Sequence, residues 1–287
     1  MDGHGQSEKY PPCCTVRRCG RLRGVRLTRV HGNPGTRSTV DAANLFTMRP
    51  DADIILTHLR NVADERAKRD AEPALALKVR ALKIYQQRRF SKTYADILES
   101  ERYGRAARFF LEELYGPRDF ADRDTQFARV VPALVRLFPR ETVVTVSTLA
   151  ELHALSEALD TATASHLLSE EVGPVDYARA WQATGRAADR ARQIALTLSI
   201  GESLDELTRN SLLRHTLRMM RAPARAAGLA ELQEFLETGF DAFKAIKGAR
   251  TFLDTINARE RLLARVLFEA PLDGSGHLGD TALGQLP

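Results

Sequence analysis

The chain has 287 residues, of which 44% are hydrophobic and 28% are charged, an ordinary composition for a globular protein with one or two cores. Its apolar runs are only a few residues long, which excludes a membrane-spanning helix, because such a helix needs about 20 apolar residues. The net charge of +5 lies at one end: residues 1–50 hold nine Lys/Arg and three Asp/Glu, against 33 and 34 in residues 51–287.

Residues 1–50 are predicted to form a disordered basic leader, because they are rich in Gly, Arg, Pro and Thr and lack helical periodicity. Three interpretations of this leader stay open. In the first, translation starts at Met48 and residues 1–47 result from a start codon assigned too far upstream. In the second, the leader is a basic arm that contacts nucleic acid, and in the third it is a targeting segment. The near-neutral body argues against nucleic-acid binding by the folded part.

All three cysteines lie in this leader, at positions 13, 14 and 19. They do not form a CxxC pair and no second cluster supplies further ligands, so no zinc site is predicted. A body without cysteine fits a reducing compartment, where disulfides do not persist. We therefore expect a cytoplasmic protein.

Two helices are predicted ahead of the central stretch. Asp51 or Asp53 caps the first, which runs to about Arg69, and Pro73 begins the second. Their inward positions recur every three or four residues: Ile55, Leu59 and Val62, then Leu75, Val79, Leu82 and Gln86 or Phe90. The pair Arg88-Arg89 is interpreted as a solvated helix end that complements the helix dipole. Residues 91–98 then predict a short helix.

The central stretch, residues 102–139, holds many of the chain's aromatic residues. One apolar face comprises Tyr103, Ala107, Phe110 and Leu114, and a second comprises Phe120, Phe127, Val131, Leu134 and Phe138. Gly116-Pro117 ends the first helix, and Asp119 or Asp122 caps the second. Two apolar faces joined by a short connection predict an antiparallel helical hairpin. Pro132 predicts a kink or a break.

The run RFFLEELYGPRDFADRD at residues 108–124, followed by VVPALVRLFP, resembles a family of proteobacterial proteins known by the FFLEELY motif. The upstream run KIYQQRRFSKTYADILESERY fits the same resemblance, which covers roughly residues 51–269. That family has no established biochemical function. The resemblance therefore brings no catalytic or cofactor residues, and the site must be argued from this chain alone.

After Pro139 the run ETVVTVS at residues 141–147 favours an extended connection, because it is rich in β-branched residues. A helix is predicted from Thr148 to Ser169, with Leu152, Leu155, Leu159 and His166 on one side. Further helices are predicted over 175–200, ended by Gly201, and from Ser203 to about Arg221. From Leu229 onward two helices in series are favoured, separated near Gly248, and residues 270–287 are predicted to be a disordered tail.

Strands do not alternate with helices and no fixed-period repeat occurs, so the prediction is an all-α fold: a single multi-helix bundle of roughly eight to ten helices over residues 51–269. Signatures of phosphate loops, dinucleotide folds, kinases, serine hydrolases and HExxH metalloenzymes are absent. A cysteine nucleophile in the body is excluded as well. These absences argue against most hydrolase and nucleotide-dependent activities.

Histidine on helices offers the best remaining chemistry. His153 with Glu157, and His166 with Glu170, place an imidazole and a carboxylate four residues apart, a spacing that can serve one metal. The di-iron pattern Glu-x-x-His occurs on neither helix, and an ordinary ion pair or hydrogen bond is the commoner role of such a pair. No cofactor is predicted, and haem or iron is kept as the alternative.

The central motif carries a second candidate cluster: Glu112, Glu113, Tyr115, Arg118, Asp119, Arg123 and Asp124. One interpretation is a functional acidic and basic cluster at the hairpin tip. The favoured interpretation is structural, with ion pairs that cap and tie the connection beneath Tyr115. The leading functional hypothesis is a protein-interaction or regulatory module, with an apolar groove beside the hairpin for a partner helix, rather than an enzyme.

Overall fold

Helices account for almost all of the described residues, as the recurrence of apolar residues every three or four positions predicts. The structure, a computed structural model, describes residues 50–113, 120–269, 271, 284, 286 and 287. No strand occurs in that part of the chain, which confirms the all-α fold. The helices are α1 (Pro50–Ala71), α2 (Pro73–Thr93), α3 (Ala95–Glu99), α4 (Gly104–Glu113), α5 (Ala121–Leu137), α6 (Arg140–Ser165), α7 (Pro174–Thr184), α8 (Ala187–Leu207), α9 (Ser211–Met219), α10 (Arg221–Ala226), α11 (Ala230–Ile246) and α12 (Arg250–Glu269).

Helix α6 lies at the centre and packs against α1, α2, α5, α7 and α8. The expectation of an extended connection over residues 141–147 is wrong, because these residues form the first two turns of α6. Val143 and Thr145 are buried there, and Val143 packs with Val131 and Val135 of α5. The β-branched residues cost a helix only a few tenths of a kcal/mol each, which this burial outweighs.

Three apolar clusters hold the helices together. The first joins α2, α7 and α12, the second joins α3, α4, α11 and α12, and the third joins α1, α5 and α6. The predicted inward residues Ile55, Leu59 and Val62 of α1 are all buried. The predicted tail lies largely outside the described residues. Leu286, however, is buried in the first cluster, and Lys92 Nζ donates a hydrogen bond to its carbonyl at 2.6 Å.

The central stretch differs from the predicted hairpin. Helix α4 packs mainly against α11, and α5 mainly against α1, rather than against each other. Phe110 is buried in the second cluster, whereas Phe127 is only partly buried. Helix α5 continues through Pro132, which is exposed. The residues 114–119 that connect the two helices lie outside the described part of the chain.

The single helix predicted over residues 175–200 is two helices. Gly185 adopts a φ of 63°, the left-handed conformation that ends α7 at Thr184. Gly201, predicted to end a helix, lies inside α8, where an added Cβ would clash with the Leu253 side chain. This glycine therefore permits close packing of α8 on α12 rather than a helix end.

The helix predicted to open at Ser203 is replaced by the end of α8 and by the short helices α9 and α10. Asn210 caps α9, because its side-chain oxygen accepts a hydrogen bond from the Leu212 N–H at 2.9 Å. The two helices in series near the C-terminus, α11 and α12, were predicted correctly. Lys247 and Gly248, with φ of 54° and 107°, separate them.

Gly104→Ala is expected to destabilise the protein by about 1–3 kcal/mol, because the new Cβ would lie 2.6 Å from the backbone oxygen of Leu98. Helix propensity alone would favour alanine by about 1 kcal/mol, so the sign tests the packing. Gly173→Ala is the control, since its Cβ meets nothing closer than 3.5 Å. Urea unfolding followed by circular dichroism measures both, and a stabilised Gly104 variant would contradict the close approach.

Candidate functional site

A cavity of about 200 Å³ lies among α2, α5, α6, α8 and α11. It is larger than the roughly 150 Å³ engineered cavity that admits benzene in a well-packed protein. Eight of its lining side chains are aromatic: Phe90, Tyr94, Phe110, Phe120, Phe127, Tyr177, Trp181 and Phe235. Such a lining is typical of a binding site for a small molecule.

One side of the cavity is apolar. Helices α5, α6 and α11 and the residue before α5 supply its wall: Phe120, Phe127, Leu134, Val146, Leu149, Leu232, Phe235 and Leu236. Most of these side chains are partly rather than fully buried, and Leu236 is exposed at the rim. The apolar wall therefore faces the cavity instead of closing on itself.

Another part of the lining is charged and begins at Glu157 on α6. Arg69 of α1 donates a hydrogen bond to Glu157 Oε2, and Lys83 of α2 donates one to Oε1 at 2.6 Å. Burial by itself would raise the pKa of Glu157, but the charges of Lys83 and Arg69 outweigh it and lower that pKa to about 2. Glu157 is therefore a fixed anion that ties α6 to both α1 and α2.

Asp160, one turn further along α6, lies beside the same lysine. Gln86 Nε2 donates a hydrogen bond to Asp160 Oδ1 at 3.0 Å, and Lys83 Nζ lies 3.9 Å from Oδ2. Burial raises the pKa of Asp160 above its ordinary value despite that cation. The two carboxylates on one helical turn thus differ, because the pKa of Glu157 is lowered whereas that of Asp160 is raised.

Two further cations reach the charged side from other helices. Arg89 of α2 pairs with Glu260 of α12, whose Oε1 also accepts a hydrogen bond from the Tyr94 hydroxyl at 2.7 Å. Arg190 of α8 donates to Thr163 Oγ1 at 2.8 Å, and its guanidinium carbon lies 4.3 Å from the centroid of the Trp181 ring. These contacts fix the orientation of both guanidinium groups.

These groups form what we call the buried charge cluster: Arg69, Lys83, Arg89, Glu157, Asp160, Arg190 and Glu260. Five of them are the only charged residues that are buried within the described part of the chain, while Lys83 and Glu260 are partly buried. The cluster holds four cations and three carboxylates. Its formal charge is therefore +1.

The central motif contributes to another part of the lining. Asp124 Oδ2 accepts from Arg66 Nη2 at 2.6 Å and lies 2.8 Å from His153 Nε2. Burial would raise the pKa of Asp124, but its contacts with His153 and Arg66 lower it overall. Arg123 stacks over the rings of Phe120 and Phe235, at 3.9 and 4.5 Å from their centroids.

The candidate cluster predicted in the motif is only partly assembled. Glu113 and Arg123 lie 3.5 Å apart across the ends of α4 and α5. Glu112 is exposed, and Asp124 instead joins α5 to α1 and α6. Tyr115, Arg118 and Asp119 lie outside the described residues.

The four candidate metal ligands are placed apart or already engaged. His153 and Glu157 both line the cavity, but His153 contacts Asp124 and Glu157 binds two cations. Helix α6 ends at Ser165, so His166 and Glu170 share no helical turn, and both are exposed. Among the described residues no group of three or more His, Cys, Asp or Glu could hold a metal ion.

Sequence reasoning missed most of the buried charge cluster. Arg89 is 4% exposed, so its interpretation as part of a solvated helix end is wrong, whereas Arg88 is exposed. One signal was present: the inward positions Leu75, Val79 and Leu82 continue at the same spacing through 86 and 89. Polar residues that continue an apolar stripe indicate a buried polar site.

A model of the family described as "Domain of unknown function (DUF8198)" matches residues 65–273, which include the cavity and most of the helical domain. No curated protein and no solved structure matches the chain. None of the helices in the described residues is long and apolar enough to span a membrane.

Proposed function

The chain belongs to this family of unknown function, and we propose that its helical domain is a binding and regulatory module that takes a small amphipathic molecule into the central cavity. The observation that carries this proposal is the mixed lining, in which an apolar wall and all members of the buried charge cluster except Arg69 border one cavity. A ligand with an apolar body and a polar head matches both sides at once.

The charge of the cluster favours an anionic head. The buried charge cluster brings four cations together with three carboxylates, and all of its members except Arg69 line the cavity. An excess positive charge in a water-poor site is costly, and a bound carboxylate or similar anion would compensate it. A cationic head would add to the same excess. We therefore propose a small organic acid with an apolar chain or ring system.

A partner helix, the occupant expected from the sequence, fits this cavity less well. A helix with its side chains is about 10–12 Å wide and needs a long surface groove. The polar end of the cavity instead reaches inward to α2, α7 and α12, where Glu157 and Asp160 are buried. Contact with a protein partner is better assigned to the rim, where Leu236 is exposed.

Octanoate, octanol and octylamine share one apolar chain and differ in the head, so they test the proposal directly. We expect octanoate to bind most tightly in isothermal titration calorimetry and to raise the thermal unfolding temperature, with octylamine weakest. Ser156→Phe, which places a ring in the cavity lining, should abolish binding. Ser165→Phe is the control, because Ser165 is exposed at the end of the same helix.

Circular dichroism first establishes that both phenylalanine variants fold. Equal affinity for the three probes would contradict the anionic head, and undiminished binding to Ser156→Phe would contradict the cavity as the site. If Ser156→Phe does not fold, Thr197→Phe provides the same obstruction from α8, on the facing wall.

A further inference from the structure

Helices α9 and α10 form a surface unlike the rest of the domain. Residues 207–230 contain five arginines and one histidine but no Asp or Glu. The body as a whole is near neutral, so this run of 24 residues is a local concentration of positive charge. We call the outward face of residues 209–225 the basic surface.

The basic surface also carries three of the ten large apolar side chains that are exposed in the described part of the chain. Helix α9 contains no buried residue, and Leu212, Met219 and Met220 are 69%, 67% and 46% exposed. Leu212 and Met219 are seven residues apart and so lie on one side of the helix. Three large apolar side chains thus project among arginines, and no described residue covers them.

The inner side of the same element is firmly attached. Arg214 pairs with Asp241 of α11 at 2.8 Å, and Arg221 pairs with Glu237. Gln233 of α11 donates a hydrogen bond to the Leu217 carbonyl at 2.6 Å. Arg218 and Arg225 instead are exposed, together with the apolar residues. The inner arginines hold the element in place, and the outer ones remain available to an external anion.

We propose that the basic surface adsorbs onto a lipid bilayer that contains anionic lipids. Leu212, Met219 and Met220 would enter the boundary between headgroups and acyl chains, while Arg218 and Arg225 contact the anionic headgroups. The arginines match the negative charge of the headgroups, and the flexible Leu and Met side chains match the apolar acyl chains. A nucleic-acid surface would use the arginines but would leave the three apolar side chains in water, and this favours lipid. The proposal is independent of the ligand in the cavity.

Sedimentation of the full-length protein with vesicles tests it, comparing pure phosphatidylcholine with an equal mixture of phosphatidylcholine and phosphatidylglycerol. We expect the protein to bind only the mixed vesicles, and to bind them most strongly at low salt. Replacing both Arg218 and Arg225 with glutamate should weaken that binding by at least roughly 30-fold, because each lost basic residue removes about one kcal/mol of attraction and each glutamate is repelled by the anionic lipids. Replacing Leu212 and Met219 with serine should weaken it as well.

The matched control is Arg80→Glu with Arg88→Glu, two exposed arginines on α2 that give the same change of net charge elsewhere. It also keeps the basic leader, residues 1–50, unchanged. If the control loses binding as much as the Arg218/Arg225 variant, attraction is a matter of net charge and the proposal fails. Wild-type protein that ignores anionic vesicles, or binding unaffected by the serine replacements, overturns it too.

Discussion

Glu157→Gln is expected to lower the free energy of unfolding at pH 7 by about 3–5 kcal/mol. The substitution keeps the shape of the side chain but removes the charge that Arg69 and Lys83 share. Arg69 then lies largely out of water without its carboxylate partner, and Lys83 keeps only Asp160 at 3.9 Å. Removing one member of a buried ion pair costs more than removing one member of an exposed pair. Urea denaturation followed by circular dichroism measures the difference.

Glu151→Gln on the same helix is the matched control. Glu151 makes two hydrogen bonds with Arg192, at 2.9 and 3.0 Å, but this pair lies at the surface. Exposed ion pairs contribute about 0–1 kcal/mol, so this variant should change stability little. If both variants lose a similar free energy of unfolding, the burial of Glu157 does not determine how much its ion pairs stabilise the protein.

The difference between wild type and Glu157→Gln should also depend on pH. The pKa of Glu157 is lowered from 4.5 to about 2 in the folded protein, so its contribution is complete above pH 4.5 and is lost as the pH falls toward 2. Over that interval the contribution amounts to about 3 kcal/mol. The raised pKa of Asp160 works in the opposite direction, and since the charge of Glu157 contributes to it, Glu157→Gln lessens that opposing effect. A pH-independent difference would contradict the pairing.

The parts of the fold that could be predicted from the sequence are those set by local periodicity. Ile55, Leu59 and Val62 recur at helical spacing and are buried, and the Lys247-Gly248 break between α11 and α12 has a local conformational cause. Gly201 shows the limit of such reasoning. Glycine commonly ends a helix, so the sequence predicts a helix end at Gly201. The residue that requires a glycine there is Leu253, which is 52 positions away in the sequence and packs against Gly201.

The candidate site was harder to predict from the sequence than the helices, because its residues come from distant segments of the chain. Arg69 and Glu157 are 88 residues apart, and Arg89 and Glu260 are 171 apart. An ion pair between two helices leaves no spacing signature, and each charged residue by itself is typical of a solvated face. Only knowledge of which helices pack together brings these residues to one cavity, with α6 as the common neighbour of α1, α2 and α8.

Phe110→Ala is expected to cost about 3–5 kcal/mol, the usual loss when a buried phenylalanine is truncated. The Phe110 ring is packed edge-on against Phe243 at 5.6 Å between centroids and lies 6.3 Å from Phe252. It therefore joins α4 to α11 and α12 in the second cluster. Truncation removes these aromatic contacts and leaves a void that also opens toward the cavity. Urea unfolding monitored by circular dichroism gives the loss.

Phe127→Ala is the matched control, because Phe127 has the same side chain on α5 but is only partly buried against the third cluster. Its cost should be clearly smaller, since less area is removed from contact. Aspartate sharpens the comparison: Phe110→Asp should unfold the domain, because it places an unpaired charge among three aromatic rings, whereas Phe127→Asp faces the cavity and partial solvent. A soluble, fully helical Phe110→Asp protein would mean that α4 does not pack on α11 through this ring.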